Sequence, residues 1–218
     1  MDDVFTGWLK EVKPIRFKEP LAQTLGAFRE EGALLDYGLI DVIKMAGHIC
    51  PTVAGAYLAC QAALEKLYPG EAPVRGEIGV TVYGEPDEGA YGVMGQVFSF
   101  LTGAAPETGF KGLGHMFKRK NLLKYSSDRT GGGAMCFKFQ RLDTGRDVFV
   151  KLYNGKIPFP AEKDRIMARL LEKVLWEAEK PAERKEFRDL WMEKIKLMVL
   201  ERKGMDTWLK IEGGNRDE

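Results

Sequence analysis

The chain has 218 residues, with 33 lysines and arginines set against 32 aspartates and glutamates, for a net charge of +1. So even a balance gives no electrostatic case for nucleic acid or an acidic membrane surface as a partner. Hydrophobic residues make up 44%, enough for a real core in a length that suits one domain, or a domain with an appendage.

Three cysteines, Cys50, Cys60 and Cys136, are too few and too scattered for a disulfide framework, and no Cys-x-x-Cys pair encodes a zinc ribbon. The opening stretch MDDVFTGWLKEVKP is acidic and mixed, without the basic region and apolar stretch of a secretory leader. No apolar run approaches the roughly 18 residues of a membrane span. The expectation is a protein of the reducing cytoplasm.

Taken in chain order, residues 19 to 31 carry Pro20 near the start and Leu21, Leu25 and Phe28 at helical spacing, which predicts a helix. Residues 36 to 46 predict a second, with Asp36 as its N-cap and Gly47 where a left-handed C-cap belongs. A third begins at Pro51, since proline suits the first helical position, where its missing N–H has no helical partner. Val53, Ala54, Tyr57, Leu58, Ala62, Leu64 and Leu67 give it a broad apolar face. Its small residues Ala54, Gly55, Ala56 and Ala59 predict close backbone packing, and Pro69-Gly70 ends it.

GEIGVTVYG, 76 to 84, reads as a strand, and 87 to 103 as a buried helix opened by acidic residues. Residues 104 to 120 read as a glycine-rich loop ending in a basic cluster, and NLLKYSS after it as a short strand. GAMCFKFQRL and RDVFVKLY, joined through Asp143-Thr144-Gly145, form the clearest hairpin signal, with Met135, Phe137 and Phe139 on one face and Cys136 on the other. From Pro160 onward, two charged amphipathic helices are broken at Pro181. Ile166, Leu170, Leu171 and Val174 line a face of the first; Phe187, Leu190, Trp191, Ile195, Met198 and Val199 line a face of the second. The closing EGGNRDE reads as disordered. The fold class expected is α+β: a mixed or antiparallel sheet packed against helices over 1–157, with N-terminal helices, and a C-terminal helical hairpin over 158–210 packed on the core or on a dimer partner.

Chemistry concentrates in GHICP, 47 to 51, which holds one of only two histidines. Cys50 stands at a helix start, where free N–H groups and the positive end of the helix dipole favour a thiolate. In an extended segment, residues i and i+2 point the same way, so His48 and Cys50 can converge on one point. An imidazole and a thiolate suit zinc, with nickel or another transition metal as the alternative. The bland reading of Cys50 is a small buried hydrophobe. Cys60, nearly three turns along the helix and so about 15 Å away, is expected in the core.

GHICPTVAGAYLA resembles the Gly-His-x-Cys-Pro-Gly motif of the FmdE family, which takes its name from a component of formylmethanofuran dehydrogenase. Further elements follow in that family's order over about residues 36 to 153: a helix, a strand, an acidic stretch, a helix ending in Thr102-Gly103, the segment KRKNLLKY, and a closing hairpin. The resemblance implies an α+β core, often dimeric, with a metal site at His48 and Cys50. Where the family pattern often has a further histidine, two cysteines and an aspartate, this chain has Ala46, Tyr91, Ala104 and Met94, and Pro-Gly has become Pro51-Thr52. No cysteine follows Cys136 in these 218 residues, so the cysteine-rich zinc finger that many members carry at their C-terminus is not expected here.

The expected metal ligands are therefore His48, Cys50 and His115, the last carried on the glycine-rich loop as a lid. Cys136 or one of Glu85, Asp87 and Glu88 is an alternative for completing the set. The expected ligand-binding side chains are Thr52, Tyr91, Lys111 and Arg119, the last two from a loop whose glycines and basic residues suit a small anion. Three functions stay open: a metal-binding protein, a metal- or cysteine-dependent enzyme on a small substrate, or an accessory component of a redox complex. The partners expected are a second copy and a small molecule, with no nucleic acid and no membrane.

Overall fold

Apolar residues alternate along β3 (Ile78–Tyr83), β7 (Met135–Arg141) and β8 (Asp147–Leu152), and a sheet with one covered face must bury that alternating set. It does so in the computed structural model, which describes residues 5–28, 30–128 and 132–213. Ile78, Val80, Val82, Phe137, Phe139, Val148, Val150 and Leu152 are all buried. The sheet has five strands in the order β6-β3-β7-β8-β9, with β6 spanning Leu123–Ser126 and β9 spanning Leu209–Gly213. Its pairs are antiparallel except β3 with β6, which is parallel. The fold is α+β, as expected.

Helix α3 (Pro51–Leu67) is the centre of the molecule. It packs against α2 (Leu39–Ala46), α4 (Tyr91–Thr102), α6 (Pro181–Val199) and β8. A helix enclosed on all sides needs apolar or small residues all round rather than a stripe. Gly55 shows why small ones: a Cβ there would lie 3.0 Å from a Leu152 methyl. From α4, Phe98 meets Phe137 and Phe139 edge-on at 4.9 and 5.0 Å.

The N-terminal region differs from the reading of its sequence. The helix expected over 19 to 31 is only α1 (Pro20–Thr24), because Gly26 takes φ of 76° and turns the chain, leaving Leu25 66% exposed. Asp36 is not a helix cap. It lies in β2 (Leu34–Tyr37), which pairs antiparallel with β1 (Ile15–Lys18) as a separate ribbon. The cap of α2 is Gly38, whose N–H donates to the Asp41 carboxylate at 2.9 Å. Gly47 closes that helix in the left-handed conformation, as expected. The loop 104 to 120 contains a small hairpin, β4 (Gly112–Leu113) with β5 (Phe117–Lys118).

Helix α5 (Ala161–Leu175) and α6 form the expected hairpin, tied by ion pairs of Lys163 with Glu193, Lys173 with Glu183 and Lys194 with Asp164. Ile195, Met198 and Val199 of α6 are buried in the same core as the sheet. After α7 (Met205–Trp208), whose Trp208 is fully buried, the chain returns to the sheet as β9. Glu212 and Gly213, read as disordered, belong to that strand, where Glu212 also pairs with Lys151 at 2.8 Å; residues 214–218 lie outside the described ones. Among the described residues, no helix is long and apolar enough to cross a membrane.

Candidate functional site

The GHICP segment links two helices. Its left-handed Gly47 ends α2, the chain bends at Gly47 and His48, and Cys50 is extended, with φ of −140° and ψ of 169°. The expected extended run through His48 is thus a bend, because the α2 cap turns the backbone immediately before it. Cys50 is the N-cap of α3, and its sulfur accepts the Val53 N–H at 3.4 Å. The half-buried thiol therefore stands where the helix exposes donors that stabilise negative charge. His48 is exposed, with Nδ1 at 3.0 Å from the Ala46 carbonyl. That oxygen can only accept, so Nδ1 is the donor, and in the neutral tautomer the lone pair lies on Nε2.

A third contact comes from far along the chain. Trp191 of α6 donates its indole N–H to the Ile49 carbonyl at 2.8 Å, holding the peptide between the histidine and the cysteine. Sequence reading places Trp191 on an apolar helix face and misses this role; the only sequence signal is a tryptophan in that face, which needs a polar partner when half-buried.

The other predicted residues disperse. His115 sits exposed in the turn between β4 and β5. Among the described residues, no three histidine, cysteine, aspartate or glutamate side chains group as a metal site. Thr52 lies in the first turn of α3, beside Cys50. Tyr91 opens α4 with its ring against Gly84, where a Cβ would come within 2.5 Å of it. Lys111 is exposed, and its carbonyl accepts the backbone N–H of Arg119. Glu85 and Asp87 are exposed and Glu88 is half-buried.

Arg119, expected as an exposed anion-binding side chain of the loop, is only 3% exposed and pairs with Glu19 at 2.7 Å. Two glycines make room for it: a Cβ on Gly76 or Gly103 would lie 2.1 or 2.0 Å from its guanidinium. Cys60 is fully buried, as expected, and desolvation pushes its thiol pKa up. Cys136 is buried on the sheet face opposite Phe137 and Phe139.

Two clefts lie along α4. The larger, about 890 Å³, runs between Met45, the Gln96 side of α4, and Tyr125. The second, about 640 Å³, lies over Glu19, Arg75 and Arg119, and shares Ser99, Phe100 and Pro106 with the first. His48 and Cys50 line neither.

A scan against models of known families gives no match, and a search of curated proteins gives no significant one. The bend at His48 removes the extended-strand reason for His48 and Cys50 to point the same way, and what remains is two side chains of types that bind transition metals, two residues apart. The imidazole contacts a backbone carbonyl through Nδ1, an arrangement also found in metal-bound histidines, and the Cys50 sulfur accepts a helix N–H. Two donors suit an open site, not a closed tetrahedral one with four protein ligands.

Proposed function

We propose that the chain is a metal-binding protein of the kind its resemblance to the FmdE family implies. His48 Nε2 and the Cys50 thiolate would hold a transition metal, zinc before nickel. The observation that carries this reading is the Nδ1 contact of His48 with the Ala46 carbonyl, beside a cysteine that caps a helix. A solvated surface histidine needs no such orientation, and the Cys50 sulfur, which also serves as the helix cap, sits at the positive end of α3.

A bound metal would supply Lewis acidity at an open coordination position. The protein's own part is to orient the imidazole, stabilise the thiolate and fix the intervening peptide through Trp191. The positions left by two protein donors would go to a small-molecule ligand or to a second copy of the chain. A reducing, cytoplasmic setting agrees with three unpaired cysteines, one of which must stay reduced to bind.

The test is elemental analysis of tag-free protein, in wild type and in the Cys50→Ala, Cys60→Ala and His115→Ala variants. Near-stoichiometric metal is expected in wild type, lost in Cys50→Ala and kept in the other two. Full occupancy in Cys50→Ala would sink the proposal, as would metal-free wild type after growth with added zinc.

A further inference from the structure

Three charged side chains from distant parts of the chain meet beneath the second cleft. Glu19 precedes α1, Arg75 lies between α3 and β3, and Arg119 follows β5. Arg75 donates through Nη1 to one oxygen of Glu19 at 2.8 Å, and Arg119 donates through Nη2 to the other at 2.7 Å. Arg75 also gives Nε and Nη2 to the carbonyls of Leu101 and Phe100, at 3.0 and 2.8 Å, in the last turn of α4. Glu19 is 5% exposed.

The charges do not cancel. Two guanidiniums face one carboxylate, and the carbonyl end of α4 offsets only about half a charge. Desolvation lowers the Arg119 pKa, and its Nη1, enclosed against the glycine backbones, has no hydrogen-bond partner among the described residues. A buried excess of positive charge is costly unless something neutralises it. Arg75, whose side chain is 20% exposed and whose guanidinium lies 5.0 Å over the Tyr37 ring, is the more accessible of the two arginines lining the cleft.

The rest of the cleft has the opposite character. Leu21, Leu35 and Phe100 contribute to its walls, and Leu25 and Phe110, 66% and 59% exposed, stand in its lining as large apolar side chains open to water. No lysine lines it among the described residues, so nothing beyond the arginine cluster would hold a polyanion.

We propose that this cleft binds an organic monocarboxylate with an apolar body. The carboxylate meets the Arg75 edge of the cluster, and the hydrocarbon part covers Leu25 and Phe110. A carboxylate can accept from the N–H groups that remain on the Arg75 Nη1 and Nη2 atoms, a single negative charge is closer to the residual half charge than a dianion's is, and the exposed apolar pair gives the ligand's body a surface to bury. The site is separate from the His48–Cys50 motif and does not depend on its metal.

The test is isothermal titration of the full-length protein with octanoate, 1-octanol and octyl phosphate. Octanoate should saturate one site, with octanol at least about tenfold weaker for want of the charge-assisted contact. Octyl phosphate, a dianion, should bind no tighter than octanoate. Leu25→Glu places a negative charge at an exposed position that folding does not need, and should weaken octanoate by at least about tenfold. Phe110→Ala should weaken it about three- to tenfold through lost apolar contact. Arg75→Gln, if circular dichroism shows it folded, should abolish binding. Octanoate and octanol binding equally would overturn the proposal; so would octanoate indifferent to Leu25→Glu, tighter octyl phosphate, or no octanoate binding at millimolar concentration.

Discussion

Glu19→Gln isolates what the buried cluster contributes to stability. Glutamine keeps the shape of the side chain and can still accept one hydrogen bond, but it leaves two guanidiniums without their countercharge. Removing one partner of a buried ion pair costs about 3–5 kcal/mol. The lower end applies here, because Arg75 is 20% exposed and keeps its two carbonyl acceptors at the end of α4. A loss of about 3 kcal/mol, with a urea m value near 3 kcal/mol/M for a chain of this length, lowers the midpoint by about 1 M. Urea unfolding followed by tryptophan fluorescence measures it. The control is Asp189→Asn, which breaks a solvent-exposed pair with Lys185 one helical turn away and should leave the midpoint nearly unchanged. If the two variants shift the midpoint equally, the cluster is not a buried charge network. Because Glu19→Gln also enlarges the positive excess under the cleft, it should tighten octanoate binding while weakening the fold.

Trp191→Phe keeps the ring contact with Phe187 but removes the donor to the Ile49 carbonyl, and should cost about 1 kcal/mol in urea unfolding; an unchanged midpoint would mean the bond contributes nothing. Gly55→Val would drive a branched side chain into Leu152, whose methyl lies only 3.0 Å from where the first added carbon must sit. It should cost about 1–3 kcal/mol, read as a lower melting temperature at unchanged m value. Alkaline pH should destabilise the protein. Desolvation raises the thiol pKa of buried Cys60 above its ordinary 9.0, and desolvation, partly opposed by Arg141, pushes the Tyr68 hydroxyl up to about 12. Both groups lose their protons first in the unfolded chain, so stability is full below pH 9 and falls as pH rises beyond it. Cys60→Ala should flatten the first part of that decline in a pH series of urea midpoints, and an unaltered slope would remove Cys60 as its cause.

Local chemistry is enough to read several elements correctly. Pro51 at a helix start and Gly47 at a helix end each follow from the backbone limits of one residue, and both stand where expected. The β7–β8 hairpin is equally legible, since alternating apolar residues around Asp143-Thr144-Gly145 need no distant partner to be recognised. The helix over 19 to 31 fails for the complementary reason. Its apolar spacing is helical, but Leu25 finds no surface to bury against and Gly26 turns the chain. Asp36 misleads because β2 is held by β1, a pairing that nothing within residues 34 to 37 announces.

The candidate sites divide along the same line. His48 and Cys50, with the helix start between them and the core, are neighbours in sequence, and short-range geometry alone places a thiol at helix N–H groups. The Glu19–Arg75–Arg119 cluster and the Trp191 clasp join residues 56, 100 and 142 positions apart. Arg119 reads as one more basic residue of an exposed loop until Gly76 and Gly103 open a place for its guanidinium beside Glu19. Burial and pairing of a charge depend on what surrounds it in space, and only the packed chain supplies those surroundings.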